Sequence, residues 1–318
     1  MTTTPATAAP DARLHIVINA ASGSHDGEQT IATIAGILDE AGRAHQFLRI
    51  DDPSRISEVA AEAVRHAKQD QGIVVAVGGD GTLNAVAQAV LGSGCVYAVL
   101  PQGTFNYFGR VNGISQDIEV ATRALLRGQV EPVQVGRVNG RVFLVNASLG
   151  LYPQVLQDRE AAKKQMGRSR WVALFSGLRT LLSHRRQLQL DIETAGQRRS
   201  VRTPTLFVGN NQLQLERIGI AEEAALEQGR LAGVMVRPTG TWSMLGLALR
   251  GALGRLGDAD NVESFAFRRL TVQPRGQRRS KVAIDGEILW MTPPLVFDVS
   301  PEPLSLLAPR PEDRVAVE

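Results

Sequence analysis

Residues 74–91 read VVAVGGDGTLNAVAQAVL. An apolar run ends at Gly78-Gly79-Asp80-Gly81-Thr82, and a helical pattern starts at once and runs to Leu91. A buried-type strand joined to a helix by a short glycine turn is the repeating unit of a parallel, layered α/β domain. In such sheets ligands bind beyond the carboxyl ends of the strands, where helix N-termini present free N–H groups. The glycines let the backbone curl tightly and approach a polyphosphate closely. Thr82 is placed to cap the helix, and Asp80 stands at the strand end, where a carboxylate can hold magnesium or accept a proton. No lysine follows the glycines, so this is not a P-loop, and the spacing does not fit G-x-G-x-x-G. The same residues also read as a tight turn carrying a solvated aspartate.

The alternation extends on both sides of this stretch. LHIVIN (Leu14 to Asn19) is a short buried-type strand, followed by a Gly/Ser loop and by Ile31, Ile34, Ala35 and Leu38 at helical spacing until Gly42. HQFLRI is a second strand, and Ile56, Val59, Ala60, Ala63, Val64 and Ala67 mark a second helix. CVYAVL and a helix around Asp117 to Arg127 continue the beat, so residues 12–132 are expected to form one α/β domain. Two further polar, glycine-bearing loops fall at equivalent strand ends: NAASGSHDG (Asn19 to Gly27) and PQGTFNYFGR (Pro101 to Arg110).

After about Pro132 the rhythm changes. VQVGRV and RVFLVN flank Asn139-Gly140, a two-residue hairpin signal. LQLDIE, TPTLFVG, GRLAGVMV, FAFRRLTVQ, KVAIDGEILW and PLVFDVS follow as short strands. They predict an antiparallel β domain over 133–309, with helical interruptions at Glu160–Arg186 and Trp242–Leu256. Residues 1–11 read as a disordered tail and 310–318 as a C-terminal tail.

Composition narrows the function classes. The chain has 318 residues, 43% apolar and 21% charged, with a net charge of +3, which argues against general nucleic-acid binding. Arginines concentrated in the second half keep an anionic partner in play. Cys95 is the single cysteine, which excludes an intrachain disulfide and a cysteine zinc cluster. His15, His25, His45, His66 and His184 show no HExxH spacing, and no G-x-S-x-G elbow occurs. The first residues carry no secretory signal, and no stretch approaches the ~20 apolar residues of a membrane span. A cytoplasmic protein is expected.

VGGDGTLN together with LPQGTFNYFGR resembles the diacylglycerol kinase catalytic-domain family, which includes bacterial lipid kinases and sphingosine kinases. NAASG (Asn19 to Gly23) is similar to the family's first nucleotide loop, VNASLGLYP (Val145 to Pro153) to the start of its second domain, and VAIDGEIL (Val282 to Leu289) to its Asp-Gly-Glu motif. The resemblance covers nearly the whole chain in the right order. It implies an ATP-binding α/β domain similar to that of phosphofructokinase, then a β-sandwich, with the active site between them. The implied activity is magnesium-dependent transfer of the ATP γ-phosphoryl group to a hydroxyl of a diacylglycerol-like lipid. By resemblance, Gly78, Gly79, Asp80, Gly81, Thr82 and Asn84 bind the phosphates, and Asn19, Ser22, Gly103, Thr104 and Asn106 contact the nucleotide. Asp80, Asp285 and Glu287 are the implied catalytic residues, with Asp80 and Asp285 toward the metal and Glu287 as proton acceptor.

The chain departs from the family pattern at two places. The usual GTGNDFAR is GTFNYFGR here, with Phe105 in place of a glycine and Tyr107 in place of an aspartate. The usual LDDG reads Leu226-Glu227-Gln228-Gly229, which alters the site of an additional magnesium. Alternatives are a kinase of a soluble substrate such as NAD, and a nucleotide-binding regulatory protein without catalysis. Between Glu160 and Arg186, seven basic residues surround the apolar stripe of Trp171, Leu174, Phe175, Leu178 and Leu182. Such a segment packs on a core or docks peripherally on an anionic membrane, here its inner face. Self-association into a homodimer is left open.

Overall fold

The structure is a computed structural model. It describes residues 9, 11–19, 24–103, 105–150, 187–217, 219–220, 226, 228–237, 250 and 259–316. Ser22, Thr104, Glu227, the expected helix at Glu160–Arg186, nearly all of that at Trp242–Leu256 and most of the expected N-terminal tail lie outside the described residues. The chain divides into two compact units, residues 1–135 with 300–318, and residues 136–299.

The first unit is built on β1 (Leu14–Asn19), α1 (Ser24–Glu40), β2 (His45–Ile50), α2 (Ile56–Asp70), β3 (Ile73–Gly78), α3 (Asp80–Val90) and β4 (Val96–Pro101). Two further helices, α4 (Tyr107–Val111) and α5 (Ile118–Leu126), lead to β5 (Gln129–Val133). Strands β1 to β4 run parallel, in the order β2-β1-β3-β4. Every residue of β3 and β4 is buried. That requires cover on both faces, and it explains why these strands read as unbroken apolar runs. Helices α2 and α3 pack together, as do α1 and α5. Helix α2 turns Val59, Ala60, Ala63, Val64 and Ala67 inward, the stripe that its spacing predicts. The buried Tyr97 hydroxyl donates to the Leu83 carbonyl at 2.8 Å, which fastens α3 to β4 without leaving a polar group unpaired.

The first sheet is completed from far along the chain. The last strand, Leu304–Ala308, lies between β4 and β5, parallel to the former and antiparallel to the latter. Residues 133–309 were expected to share one domain; 300–309 instead belong to the first unit. LSLLA carries only a short apolar pattern, and the partner of such a strand is decided by distant register, here Leu304 opposite Val133. Residues 310–316, expected as tail, fold back: Val315 N–H donates to the Gly113 carbonyl at 3.0 Å, and Arg127 reaches Asp313 at 2.7 Å.

The second unit contains two antiparallel six-stranded sheets. After β6 (Gly136–Val138), β7 (Arg141–Phe143) and β8 (Asn146–Gly150) come β9 (Leu188–Thr194), β10 (Gln197–Thr203), β11 (Thr205–Gly209), α6 (Gln212–Arg217) and β12 (Leu231–Val236). Then follow β13 (Val262–Phe267), β14 (Arg269–Pro274), β15 (Ser280–Ile284), β16 (Glu287–Met291) and β17 (Leu295–Val299), which makes Leu304–Ala308 β18. The sheet orders are β10-β9-β14-β17-β6-β7 and β13-β12-β11-β8-β15-β16. Phe143, Ile192, Leu270 and Phe297 of one sheet pack against Leu149, Leu206, Val282 and Ile284 of the other. On β8 the inward Ala147 and Leu149 alternate with Asn146 and Ser148, the period of two that a sandwich strand imposes. Asn139-Gly140 joins β6 to β7 with positive φ at both residues, as the hairpin signal requires.

Candidate functional site

Strand order sets the first part of the site. Because β1 pairs with β3 and β3 with β4, the carboxyl ends of all three lie side by side. This brings Asn19, the turn at Gly78–Thr82 and the loop from Gln102 to Asn106 onto one edge of the sheet. Gly79 is extended (φ −83°, ψ 178°) and occupies the position before α3, and no side chain caps the helix. Thr82 was expected as the cap. The helix instead starts at Asp80, with Leu83 N–H bonded to the Gly79 carbonyl at 3.0 Å, so Thr82 sits inside the first turn. The N–H groups of that turn have no partner within the helix.

The turn and the loop are knitted together. Gln102 N–H donates to the Gly78 carbonyl at 2.8 Å. A Cβ on Gly78 would lie 2.8 Å from Thr82 Oγ1, and one on Gly103 would lie 3.0 Å from Gly79 Cα and 2.7 Å from Asn106 Oδ1. Glycine is thus demanded by close approach. Asn106 takes up a left-handed conformation (φ 46°, ψ 40°) and is buried. Its side chain accepts from Gly103 N–H at 2.8 Å and donates to the Gly103 carbonyl at 2.7 Å, closing the loop on itself. Gln102 Nε2 also donates to Thr30 Oγ1 at 2.7 Å, which ties α1 to the loop. This tie escaped the sequence reading; the only local signal is a glutamine between a strand end and a glycine.

Asp80 faces into this arrangement half-buried. One carboxylate oxygen, Oδ1, is shielded from solvent and has no hydrogen-bond partner. Burial pushes the carboxyl pKa above its ordinary value, while a hydrogen bond from the Asn106 backbone N–H pulls it down in part. Among the described residues no group of three His, Cys, Asp or Glu side chains could hold a metal by itself. Asn84 is half-buried on α3. Phe105 and Tyr107, the two departures in the loop, stack in parallel at 5.8 Å, and Phe105 is 44% exposed.

Asp285 and Glu287 belong to the second unit, at the turn between β15 and β16. Asp285 is left-handed (φ 45°) and followed by Gly286 (φ 91°), the conformation of a tight two-residue hairpin. The Asp285 carboxylate accepts three backbone N–H groups: Leu144 on Oδ2 at 2.7 Å, and Val145 and Asn146 on Oδ1 at 2.9 Å each. Its own N–H donates to the Asn146 carbonyl at 2.9 Å. Glu287, two residues on, is exposed, and among the described residues no hydrogen bond or ion pair engages its carboxylate. The two acids therefore meet different conditions: three backbone N–H groups engage the Asp285 carboxylate, and among the described residues none engages that of Glu287. Gln228 is drawn to Arg230 by a hydrogen bond to its side-chain oxygen.

Comparison with known proteins agrees with the order of these units. Residues 13–138 match the family model of the diacylglycerol kinase catalytic domain, and residues 147–308 that of the YegS C-terminal NAD kinase beta sandwich-like domain. The diacylglycerol kinase of Staphylococcus saprophyticus is 28% identical over 156 residues, covering 48% of this chain and 50% of that one. The diacylglycerol kinase of Bacillus subtilis is 29% identical over 161 residues, covering 48% and 51%. The chain thus spans about half the length of the curated relatives it matches. A crystal structure of a diacylglycerol kinase from Bacillus anthracis str. Sterne shares the fold, with a TM-score of 0.68 at 19% identity, over 95% of this chain and 98% of that one. With both models matched in sequence order over most of its length, the chain belongs to the diacylglycerol kinase catalytic-domain family.

Proposed function

We propose that this chain is an ATP-dependent kinase that transfers the γ-phosphoryl group to a hydroxyl of a diacylglycerol-like lipid. The observation that carries the reading is the Gly78–Thr82 turn locked to the Gly103–Asn106 loop, with Asp80 half-buried beside them. Glycine backbone at Gly78, Gly79 and Gly103 and an uncapped helix start suit a polyphosphate, which needs close N–H donors and little steric bulk. Phosphoryl transfer demands positioning and charge stabilisation more than covalent chemistry, and a rigid loop supplies the positioning.

The residues present fit a divalent cation. The Asp80 oxygen without a partner is an acceptor held out of water, and a cation bound with the nucleotide would satisfy it. When bound, magnesium would neutralise phosphate charge. Asp80 would hold it, and Glu287 would take the proton from the acceptor hydroxyl, a role that needs an exposed and unengaged carboxylate. Lys163, Lys164, Arg168, Arg170, Arg179, Arg185 and Arg186, outside the described residues, would hold the enzyme at an anionic membrane surface by charge. Among the described residues no helix is long and apolar enough to cross a membrane.

The deciding experiment is a phosphate-transfer screen with labelled ATP over diacylglycerol, monoacylglycerol, sphingoid bases, phosphatidylglycerol and NAD. Labelled lipid is the expected product. A second reading, phosphorylation of NAD, is favoured by the NAD kinase-like description of the matched sandwich domain. Label on NAD alone would establish it in place of the first. ATP binding without transfer to any acceptor would leave a regulatory nucleotide-binding protein.

A further inference from the structure

The acids flanking Gly286 look interchangeable in sequence, yet the backbone engages only one of their carboxylates among the described residues. A carboxylate offers about four lone-pair sites, and Asp285 spends three on the consecutive N–H groups of residues 144–146. Both sites on Oδ1 are occupied, so a cation could chelate this group only by displacing a backbone N–H. Charge-assisted bonds of this kind are about twice as strong as neutral ones, and each abandoned N–H would be left unpaired. The reciprocal bond from Asp285 N–H to the Asn146 carbonyl pins the turn at a fourth point. Ile284 pairs with Ala147 on β8 and with Glu287 on β16. The position of Glu287 is therefore set by a turn whose first residue is fastened to the chain entering β8.

We propose that Asp285 is a positioning residue and not a metal ligand. Its carboxylate occupies the nest of N–H groups at 144–146, holds the β15–β16 turn in register with β8, and so fixes Glu287 for the acceptor hydroxyl. This rests on the reading of Glu287 as proton acceptor. Its distinctive consequence is that Asp285 acts through Glu287, so the two cannot contribute independently to turnover.

The test compares wild type with Asp285→Asn, Glu287→Gln and the double variant. It measures kcat, KM for ATP, the magnesium concentration for half-maximal activity, and hydrogen exchange of the peptide spanning 144–146. Asp285→Asn should lower kcat by about 10- to 100-fold, as expected for a misplaced group, with KM and the magnesium midpoint within about twofold of wild type. Adding it to Glu287→Gln should lower kcat by less than about twofold more, because there is no base left to position. Exchange at 144–146 should accelerate at least tenfold, roughly the loss of one strong hydrogen bond. A magnesium midpoint moved several-fold upward would make Asp285 a ligand and overturn the proposal. Multiplicative losses in the double variant, or unchanged exchange, would overturn it as well. Should Asp285→Asn fail to fold, Asp285→Glu keeps the charge one methylene out of place, and the same outcomes decide. The exchange measurement needs no substrate: wild-type protein that phosphorylates no lipid would defeat the kinase reading, while exchange still judges the clamp by itself.

Discussion

Replacing Asp80 by asparagine should strengthen the fold at neutral pH while abolishing turnover. The folded chain raises this carboxyl above its ordinary value, so it binds the proton more tightly than the unfolded chain does. The ionised group therefore weakens the fold once the pH exceeds the raised value, and the penalty vanishes below the ordinary carboxyl range, near 3.8. The structural source is the Asp80 oxygen that is shielded and without a partner. An unsatisfied buried acceptor costs about 1–3 kcal/mol, and removing its charge while keeping its shape should recover about 1 kcal/mol. In a unit of roughly 150 residues that raises Tm by about 3 °C. The assay is calorimetry of wild type and Asp80→Asn from pH 4 to 8, with chelator present and nucleotide absent. The two melting temperatures should converge near pH 4 and separate as the pH rises, with the variant on top. At the same time, label transfer in the folded variant should fall by several orders of magnitude. A variant that melts at or below wild type at pH 8 would refute the view of Asp80 as a stored electrostatic cost, and near-normal turnover would remove it from the reaction.

Glu287→Gln should reduce turnover by about 10²- to 10⁴-fold and leave KM for ATP unchanged, since a base acts on the acceptor and not on nucleotide binding; steady-state kinetics with varied ATP checks this. Gly103→Ala forces a Cβ to within 3.0 Å of Gly79 Cα and 2.7 Å of Asn106 Oδ1, so it should cost about 1–3 kcal/mol of stability and at least tenfold in ATP affinity, read by denaturant unfolding and titration calorimetry. Arg185/Arg186→Ala should weaken co-sedimentation with anionic vesicles, and salt should weaken it for wild type as the screening length shortens. Equal binding to neutral vesicles would count against charge-driven docking.

Local chemistry made much of this molecule legible. The strand–glycine–helix stretch at 74–91 has one economical solution, and α2 turns inward the same apolar residues its spacing selects. Asn139-Gly140 could hardly be anything but a hairpin. What escaped was whatever depended on distant partners. Leu304–Ala308 shows only a short apolar pattern, which says neither that it is a strand nor which sheet receives it. Asn106 and Asp80 stand out by residue type, but the closed loop of the first and the orphaned oxygen of the second follow from burial that no local pattern encodes. Asp285 shows the same limit: Asp-Gly-Glu marks a turn with two acids, and only the packing of 144–146 tells which acid is committed.

The strand β18 also dictates a schedule. It supplies the inner neighbour of both β4 and β5, so the first sheet cannot close until the ribosome has released Ala308. Residues 136–299 emerge in the interval, while the earlier-made sheet still waits. At bacterial-to-eukaryotic elongation speeds that wait lasts roughly 10–30 s, long against the folding time of a small domain. Throughout it, the fully apolar VYAVLP strand offers one unpaired edge to any other nascent chain. Crowded polysomes are thus the setting in which this architecture is most exposed to misassembly, and a fragment ending before Leu304 would carry that exposure permanently.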